Sequence, residues 1–230
     1  MSEKDTPAAI LHGHYKLPIA DDVVLIDNTI RNAIIGGGYK ATEASLLLEI
    51  VTPEDSVLEL GAGLGFITTL LSIRCRPGSY QAVEADARLI PMIRRTLALN
   101  NASEIHLLNA VLTEDPGKLA HGSVFFKIGN NFCESHVTDE DTGRSVPTFS
   151  LNAALRERAV TVLIVDIEGG ELDLFTHADL STVRAVNVEL HPRRIGREGI
   201  RKVLSDLNAQ DFIYDARHSS HAVITATRPG

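Results

Sequence analysis

The sequence predicts an α/β domain on a mostly parallel sheet whose last two strands form an antiparallel pair. Three observations predict it. From residue 56 onward, short apolar runs alternate with stretches of helical period, the alternation from which parallel sheets are built. The run Ser56-Val57-Leu58-Glu59-Leu60 passes directly into Gly61-Ala62-Gly63-Leu64-Gly65 and then a helical stretch, giving strand, glycine turn and helix. The strongly apolar run Thr161-Val162-Leu163-Ile164-Val165 ends in Asp166, at the sheet edge where open α/β sheets bind ligands.

At 230 residues and 44% hydrophobic composition, the chain buries a sizeable core in a single unit. Residues 1–35 read as an N-terminal arm with a short helix, and residues 36–230 as the main domain. Residues 1–20 show no clear period and read as a flexible lead-in. Ile30, Ala33 and Ile34 share one face of a short helix stopped by Gly36-Gly37-Gly38, which suits a hinge. Thr42 caps a second helix that carries Ala44, Leu47, Leu48 and Val51. The strand at 56–60 follows Pro53-Glu54-Asp55, and the next helix runs through Phe66, Ile67, Leu70, Leu71 and Ile73. Residues 80–84 form the second strand and 104–111 the third. Between them lies a helix over 89–100 with Pro91 in its first turn, where a missing N–H costs least.

Between Gly122 and Val146 the β-prone pieces 124–128 and 134–137 predict a hairpin or insert over one sheet edge. Parallel strands resume at 161–165 and 185–190, and 199–209 is helical. Residues 212–215 and 221–225 then close the sheet as the antiparallel pair.

Composition narrows the function. No stretch of about 18 apolar residues occurs, and Met1-Ser2-Glu3-Lys4-Asp5 lacks the basic start and apolar run of a signal peptide. The expectation is a cytoplasmic protein with no membrane partner. Two cysteines, Cys75 and Cys133, are too few for a disulfide framework or a cysteine zinc site. A net charge of −8 opposes phosphate backbones, so no nucleic acid is expected as partner. The basic run from His191 to Lys202 is the local exception, and its plain reading is a solvated loop and helix face.

Four acidic strand ends carry the chemistry. Glycines at 61, 63 and 65 let the backbone pass close to a nucleotide-like cofactor, although such a turn also serves as an ordinary strand-to-helix connection. Glu59, just before the turn, is placed to receive the cationic amino group of a methionine moiety, which suits S-adenosylmethionine. Glu84 lies 84 − 61 = 23 residues past the first glycine, near the separation at which a carboxylate meets ribose hydroxyls. A dinucleotide-binding oxidoreductase of NAD type shares these features, but Phe66 occupies the position where its fingerprint places a third glycine. Asp166-Ile167-Glu168-Gly169-Gly170-Glu171 crowds three carboxylates at the end of the fourth strand, either as a site or as helix capping. Glu189 and His191 end the neighbouring strand and can face the same crevice.

Together, Val57-Leu58-Glu59-Leu60-Gly61-Ala62-Gly63-Leu64-Gly65, Glu84-Ala85-Asp86, Leu99-Asn100 and Leu163-Ile164-Val165-Asp166-Ile167-Glu168-Gly169-Gly170-Glu171 resemble the FkbM family of S-adenosylmethionine-dependent methyltransferases. Val188-Glu189-Leu190-His191-Pro192 resembles the late strand of that family, and the resemblance spans residues 36–215. The Asp-Ile-Glu-Gly-Gly-Glu segment is the discriminating piece. FkbM-like sequences usually carry a lysine two residues before that Asp; this chain has Ile164 there, so any role of that lysine is unassigned.

The resemblance implies a Rossmann-like seven-stranded methyltransferase sheet and a methyltransferase domain over residues 36–230. It implies Gly61, Gly63 and Gly65 under S-adenosylmethionine, Glu59 at its methionine end, Glu84 at its ribose, and Asn109 with Ala110 near the adenine. The expected reaction moves a methyl group to a small-molecule acceptor, foremost a hydroxyl. In-line displacement needs an aligned nucleophile and a proton acceptor, for which Asp166, Glu168, Glu189 and His191 are the catalytic candidates and His136 a further base. Tyr39 serves either as a lid or as an anchor for the arm. Asp166, Glu168 and Glu189 are hard oxygen donors that can take a magnesium-type ion, although no metal is assigned. Arg193, Arg194 and Arg197 either grip an anionic group on the acceptor or stand in water. A non-catalytic module binding a nucleotide-like ligand is the remaining alternative.

Overall fold

The chain of the computed structural model, described at residues 8–102, 104–129 and 131–229, enters through a small hairpin. Strand β1 (Ala9–Leu11) pairs antiparallel with β2 (Pro18–Ala20). The lead-in expected to be flexible is therefore ordered from Ala8, with Ile10, Leu17 and Ile19 buried in the core. Residues 1–7 of the expected arm lie outside the described residues.

Helix α1 (Asn28–Gly36) is capped by Asp27, whose Oδ1 accepts the N–H of Ile30 at 2.8 Å. It ends at Gly37, which adopts the left-handed conformation open to glycine. Helix α2 (Ala41–Ile50) follows without a side-chain cap. Its first turn begins before Thr42, and the residue at its N-terminus is Lys40, itself at φ 50°.

The main sheet begins with β3 (Ser56–Leu60), crosses through α3 (Phe66–Arg74) to β4 (Ser79–Glu84), and continues through α4 (Ile90–Leu99) to β5 (His106–Asn109). The expected strand over 104–111 is thus two: β6 (Val111–Thr113) leaves for a second sheet. Helix α5 (Pro116–His121), β7 (Ser123–Lys127), β8 (His136–Thr138) and β9 (Ser145–Ser150) follow. The predicted hairpin is the antiparallel pair β7–β8, and it belongs to a four-stranded sheet ordered β6-β9-β7-β8. Of the other two strands, β6 has only three residues, and β9 turns just one apolar side chain, Val146, to its buried face, with Thr148 beside it.

The chain then returns through α6 (Leu151–Glu157) to β10 (Val162–Val165), which is buried along its whole length. A one-turn helix α7 (Glu171–Leu174), β11 (Ala185–Glu189) and α8 (Pro192–Asn208) come next. Helix α8 starts earlier than the period predicted, with a break at Gly196 (φ 64°, ψ −178°) separating its basic first turn from the amphipathic remainder. Strands β12 (Ile213–Tyr214) and β13 (Val223–Thr227) end the chain.

The seven-stranded order is β12-β13-β11-β10-β3-β4-β5. The strands from β11 through β5 are mutually parallel, while β13 runs antiparallel between β11 and β12, so the sheet and its closing pair are as the sequence predicted. One face packs Val57, Tyr80, Ala82 and Ile164 against α2, α3, α4 and the entry hairpin. The other packs Leu58, Leu60, Leu163 and Val186 against α6, α7 and α8. Each fully buried aliphatic side chain in these layers stabilises the fold by roughly 1.5–3 kcal/mol. Residues 59, 84, 166 and 189 consequently converge at the carboxyl edge of the parallel strands, where a strand-order switch opens a crevice.

Candidate functional site

The glycine turn and the acidic segment meet backbone to backbone. Gly61 has φ 89°, and a Cβ there would stand 1.8 Å from the carbonyl oxygen of Asp166, so glycine is required by conformation and by space. Gly63 faces a cavity instead: a Cβ there would point toward the Tyr39 hydroxyl and the Phe132 ring at 3.6 and 3.7 Å. Gly65 ends the turn at φ 74°, packs against Ile93 and starts α3.

The cavity, of roughly 260 Å³, extends from Gly61, Gly63 and Glu84 to Asp166 and Glu189. Ala110, Val111 and Leu112 form one wall, and Phe126, Phe132 and Val137 from the insert form another. Asn109 is not among the residues lining it; its amide donates to the carbonyls of Glu84 and Ala85 at 2.8 and 3.0 Å, fastening the end of β4. Gly65 likewise stands behind the lining. Of the residues expected around a cofactor, Glu59, Gly61, Gly63, Glu84 and Ala110 reach the cavity.

Two buried carboxyls face this space. Burial pushes Glu59 up to about 7 against the opposing hydrogen bonds from the Thr68 and Tyr80 hydroxyls, at 2.5 and 2.7 Å. Burial likewise pushes Glu84 up to about 7, opposed by the backbone N–H groups of Asp86 and Gly63, each at 2.8 Å. A carboxyl whose charge is disfavoured by desolvation is one that a cationic or hydroxyl-donating ligand relaxes. That property, with the open cradle over Gly63, fits the amino group and ribose of S-adenosylmethionine.

At the far end a cation missed by the sequence reading organises the acids. Lys40 Nζ lies 2.5 Å from Asp166 Oδ2, 2.6 Å from Glu189 Oε2 and 2.9 Å from Glu43 Oε2. Burial disfavours its charge, but Asp166, Glu43 and Glu189 outweigh that and raise its pKa well above the lysine range. The loop carrying it is fixed by His12, which is buried, stacks on Phe66 at 4.4 Å and lies with Nε2 2.8 Å from the Tyr39 carbonyl. Burial lowers the His12 pKa, and the Tyr39 contact opposes that. Ile164, where FkbM-like sequences usually carry lysine, stands in register with Glu59 and lines the cavity, so the amine at this end comes from the loop before α2.

His191 stands behind this group, between carboxylates on both ring nitrogens. Nδ1 is 3.1 Å from Glu171 Oε1, and Nε2 is 3.4 and 3.5 Å from Asp166 and Glu168. Burial opposes its charge, yet Glu168, Glu171 and Asp166 hold the imidazolium up to about 10. Glu171 is fully buried, accepts the N–H groups of Gly169 and His191 at 2.7 and 2.8 Å, and thereby ties the loop after β10 to the end of β11. Neither Asp166 nor Glu168 caps α7, whose N-cap is Gly170 without a side-chain bond. Of the catalytic candidates, Asp166, Glu168 and Glu189 line the cavity, and His191 lines the adjoining outer groove. In the basic run, Arg194 is engaged with Glu168 at 3.2 Å and the Glu134 carbonyl at 2.8 Å, while Arg193 and Arg197 are exposed.

Comparison with known proteins bears on the family and the fold. The chain shares 34% identity over 86 residues with the ribosomal RNA small subunit methyltransferase A of Rubrobacter xylanophilus, a match covering 35% of this chain and 32% of that protein. The chain thus spans about a third of the length of this curated relative. Among solved structures, precorrin-6y C5,15-methyltransferase from Geobacter metallireducens superposes with a TM-score of 0.52 at 12% identity, covering 91% of this chain and 94% of that one. Trm5b from Pyrococcus abyssi gives 0.53 at 10% identity, covering 97% and 56%. These two likenesses speak to the fold. The family model described as Methyltransferase FkbM domain matches residues 59–218, from the carboxylate before the glycine turn to just past β12, which sets the dinucleotide alternative aside. The chain belongs to the FkbM family of methyltransferases, whose methyl donor is S-adenosylmethionine.

Proposed function

We propose that this chain methylates a hydroxyl of a small-molecule acceptor seated at the acidic end of the cavity. The observation that supports the reading most directly is the continuity of one cavity from Gly63 and Glu84 to Asp166, Glu189 and His136. When bound, S-adenosylmethionine supplies a methyl group on a positively charged sulfur, open to in-line displacement. Glu84 receives hydroxyl groups, Glu59 faces the cationic end, and Gly63 keeps the cradle free of side chains. Tyr39, Phe126 and Phe132 wall the space with aromatic surface.

An acceptor oxygen in line with that methyl group would take it as the sulfur leaves with its electron pair, and His136 Nε2 would receive the acceptor's proton. His136 Nδ1 lies 2.9 Å from the Glu134 carbonyl, which can only accept, so Nδ1 carries the hydrogen and Nε2 has the lone pair in the neutral ring. His191 cannot take this part, because carboxylates face both of its nitrogens and both are donors. Asp166 and Glu189 orient the acceptor through hydrogen bonds.

A net charge of −8, with Asp166, Glu168, Asp173 and Glu189 on the lining, favours a small molecule over a phosphate backbone. The test is incubation with methyl-labelled S-adenosylmethionine and either a pooled set of hydroxyl metabolites or total RNA. Label in an ether-bearing small molecule is the expected result. Label in RNA overturns the acceptor class, and label in neither favours a binding module.

A further inference from the structure

The donor atoms of Asp166, Glu189 and His191 lie within 4.8 Å of one another, a spacing that can hold a divalent ion. Asp166 Oδ1 is buried and faces His191 Nε2 at 3.4 Å, while Oδ2 takes the ammonium of Lys40. Yet the ammonium of Lys40 lies against two of the three, at 2.5 and 2.6 Å, and against Glu43 at 2.9 Å. An ammonium and a hard divalent ion seek the same carboxylate oxygens, and both cannot sit among them at these distances.

We propose that Lys40 is a built-in cation that fills a latent divalent-metal site between the Asp166 and Glu189 carboxylates, beside His191. Lys40 thereby gathers the ends of β10 and β11 against α2 without a metal ion. It is a positioning residue, acting on the reaction through Asp166 and Glu189. The proposal deepens the methyltransferase reading by making acceptor alignment independent of metal, and its binding test stands apart from that reading.

Three features of the fold support a dedicated cation. Lys40 sits at φ 50°, a left-handed conformation uncommon for a lysine, just before α2, where it is turned into the cavity rather than away. Gly37 and the contact from His12 to the Tyr39 carbonyl fix the loop that delivers it. The partners of the ammonium come from three separate elements, α2 and the ends of β10 and β11; without the amine Glu43 and Glu189 lose their one ion pair among the described residues, and Asp166 keeps only His191.

The experiment titrates Mn²⁺ into the full chain, without methyl donor or acceptor, and reads free Mn²⁺ by electron paramagnetic resonance. The expected result is weak or no binding by the native chain and roughly tenfold or greater tightening in Lys40→Ala, abolished again in Lys40→Ala with Glu189→Gln. The melting temperature of Lys40→Ala should rise with added Mn²⁺ while that of the native chain stays unchanged. Lys40→Gln, which keeps most of the aliphatic stem, serves if the alanine variant does not fold. Native chain that binds Mn²⁺ as tightly as the variants overturns the proposal, as does a folded variant that gains no Mn²⁺ binding. S-adenosylhomocysteine titration of the native chain is read separately. Its failure would sink the cofactor assignment and leave the metal result standing.

Discussion

Glu84 accepts the backbone N–H of Gly63 at 2.8 Å, so the carboxylate that ends β4 braces the glycine turn that follows β3. Its other oxygen holds the N–H of Asp86 at the same distance. One side chain thus shapes the cavity floor before a ligand arrives, a form of preorganisation. Glu84→Ala should weaken S-adenosylhomocysteine binding by about 1.5–3 kcal/mol, through lost hydrogen bonds and a loosened turn. Gly63→Val should weaken it as well, since a branched side chain at φ 55° both strains the backbone and fills the space beneath Tyr39. Calorimetry giving native affinity for both variants would remove the turn from the cofactor site.

The same buried carboxyls predict a pH dependence of binding. Glu59 and Glu84 are each pushed up to about 7 by burial, and a ligand bearing a cation and hydroxyl donors favours their charged forms. S-adenosylhomocysteine affinity should therefore rise as pH increases through about 7, with protons released on binding. Titration at pH 7 in buffers of different ionisation enthalpy measures that release. In the free protein the sign is opposite. A folded pKa above the unfolded value favours folding at low pH, so this contribution is present below about pH 4.5 and lost as pH rises through about 7. Binding without proton release would assign the raised carboxyls to the fold alone.

The parallel strands and the two glycine and acid motifs were legible because each is a local pattern. Residues 162–165 are apolar without interruption, and Gly61 and Glu84 lie at fixed offsets from strand ends. Lys40 had no such signal. Its acid partners Asp166 and Glu189 are 126 and 149 residues away, and nothing near a lysine in sequence marks it as an interior ion pair; Glu43 three positions on was the one local hint. His12 was equally silent, since its partners Phe66 and Tyr39 meet it through tertiary packing alone. The entry hairpin has strands of three residues, too short to display a period. Asn109 reads as a lining residue by position, but the end of β4 takes both of its amide hydrogens.

The two histidines near the cavity should separate by kinetics. His136→Ala should lower kcat by about 10²–10⁴-fold if Nε2 accepts the acceptor's proton, with S-adenosylhomocysteine affinity unchanged. His191→Ala should act through structure: Glu171, fully buried, loses a partner, and the junction of β10 and β11 loosens. Its activity should fall only as far as the folded fraction does. The opposite pattern, a retained kcat in the His136 variant and a kcat lost beyond the folded fraction in the His191 variant, would exchange their roles.

Asp55 provides a stability test away from the cavity. It is buried, and it receives two bonds from Arg184 at 2.8 and 2.5 Å, the Thr161 hydroxyl at 2.7 Å and the Thr52 N–H at 2.8 Å. These contacts join the end of α2, the start of β3, the start of β10 and the residue before β11, which is the amino-terminal edge of the sheet. Burial alone would raise its pKa, but Arg184, Thr52 and Thr161 outweigh burial and bring it down to about 2. A folded pKa below the unfolded 3.8 adds stability that is present above about pH 4 and lost as pH falls through about 2. The shift corresponds to about 2 kcal/mol, and less is realised because Arg184 is 44% exposed and its charge is screened by water. Asp55→Asn should therefore unfold at lower urea concentration than the native chain at pH 7, by about 1–2 kcal/mol. The gap should hold constant from pH 5 to 8 and narrow toward pH 2, where the native carboxyl is itself protonated. A gap that stays the same at pH 2.5 would mean that the variant loses packing rather than charge at this junction.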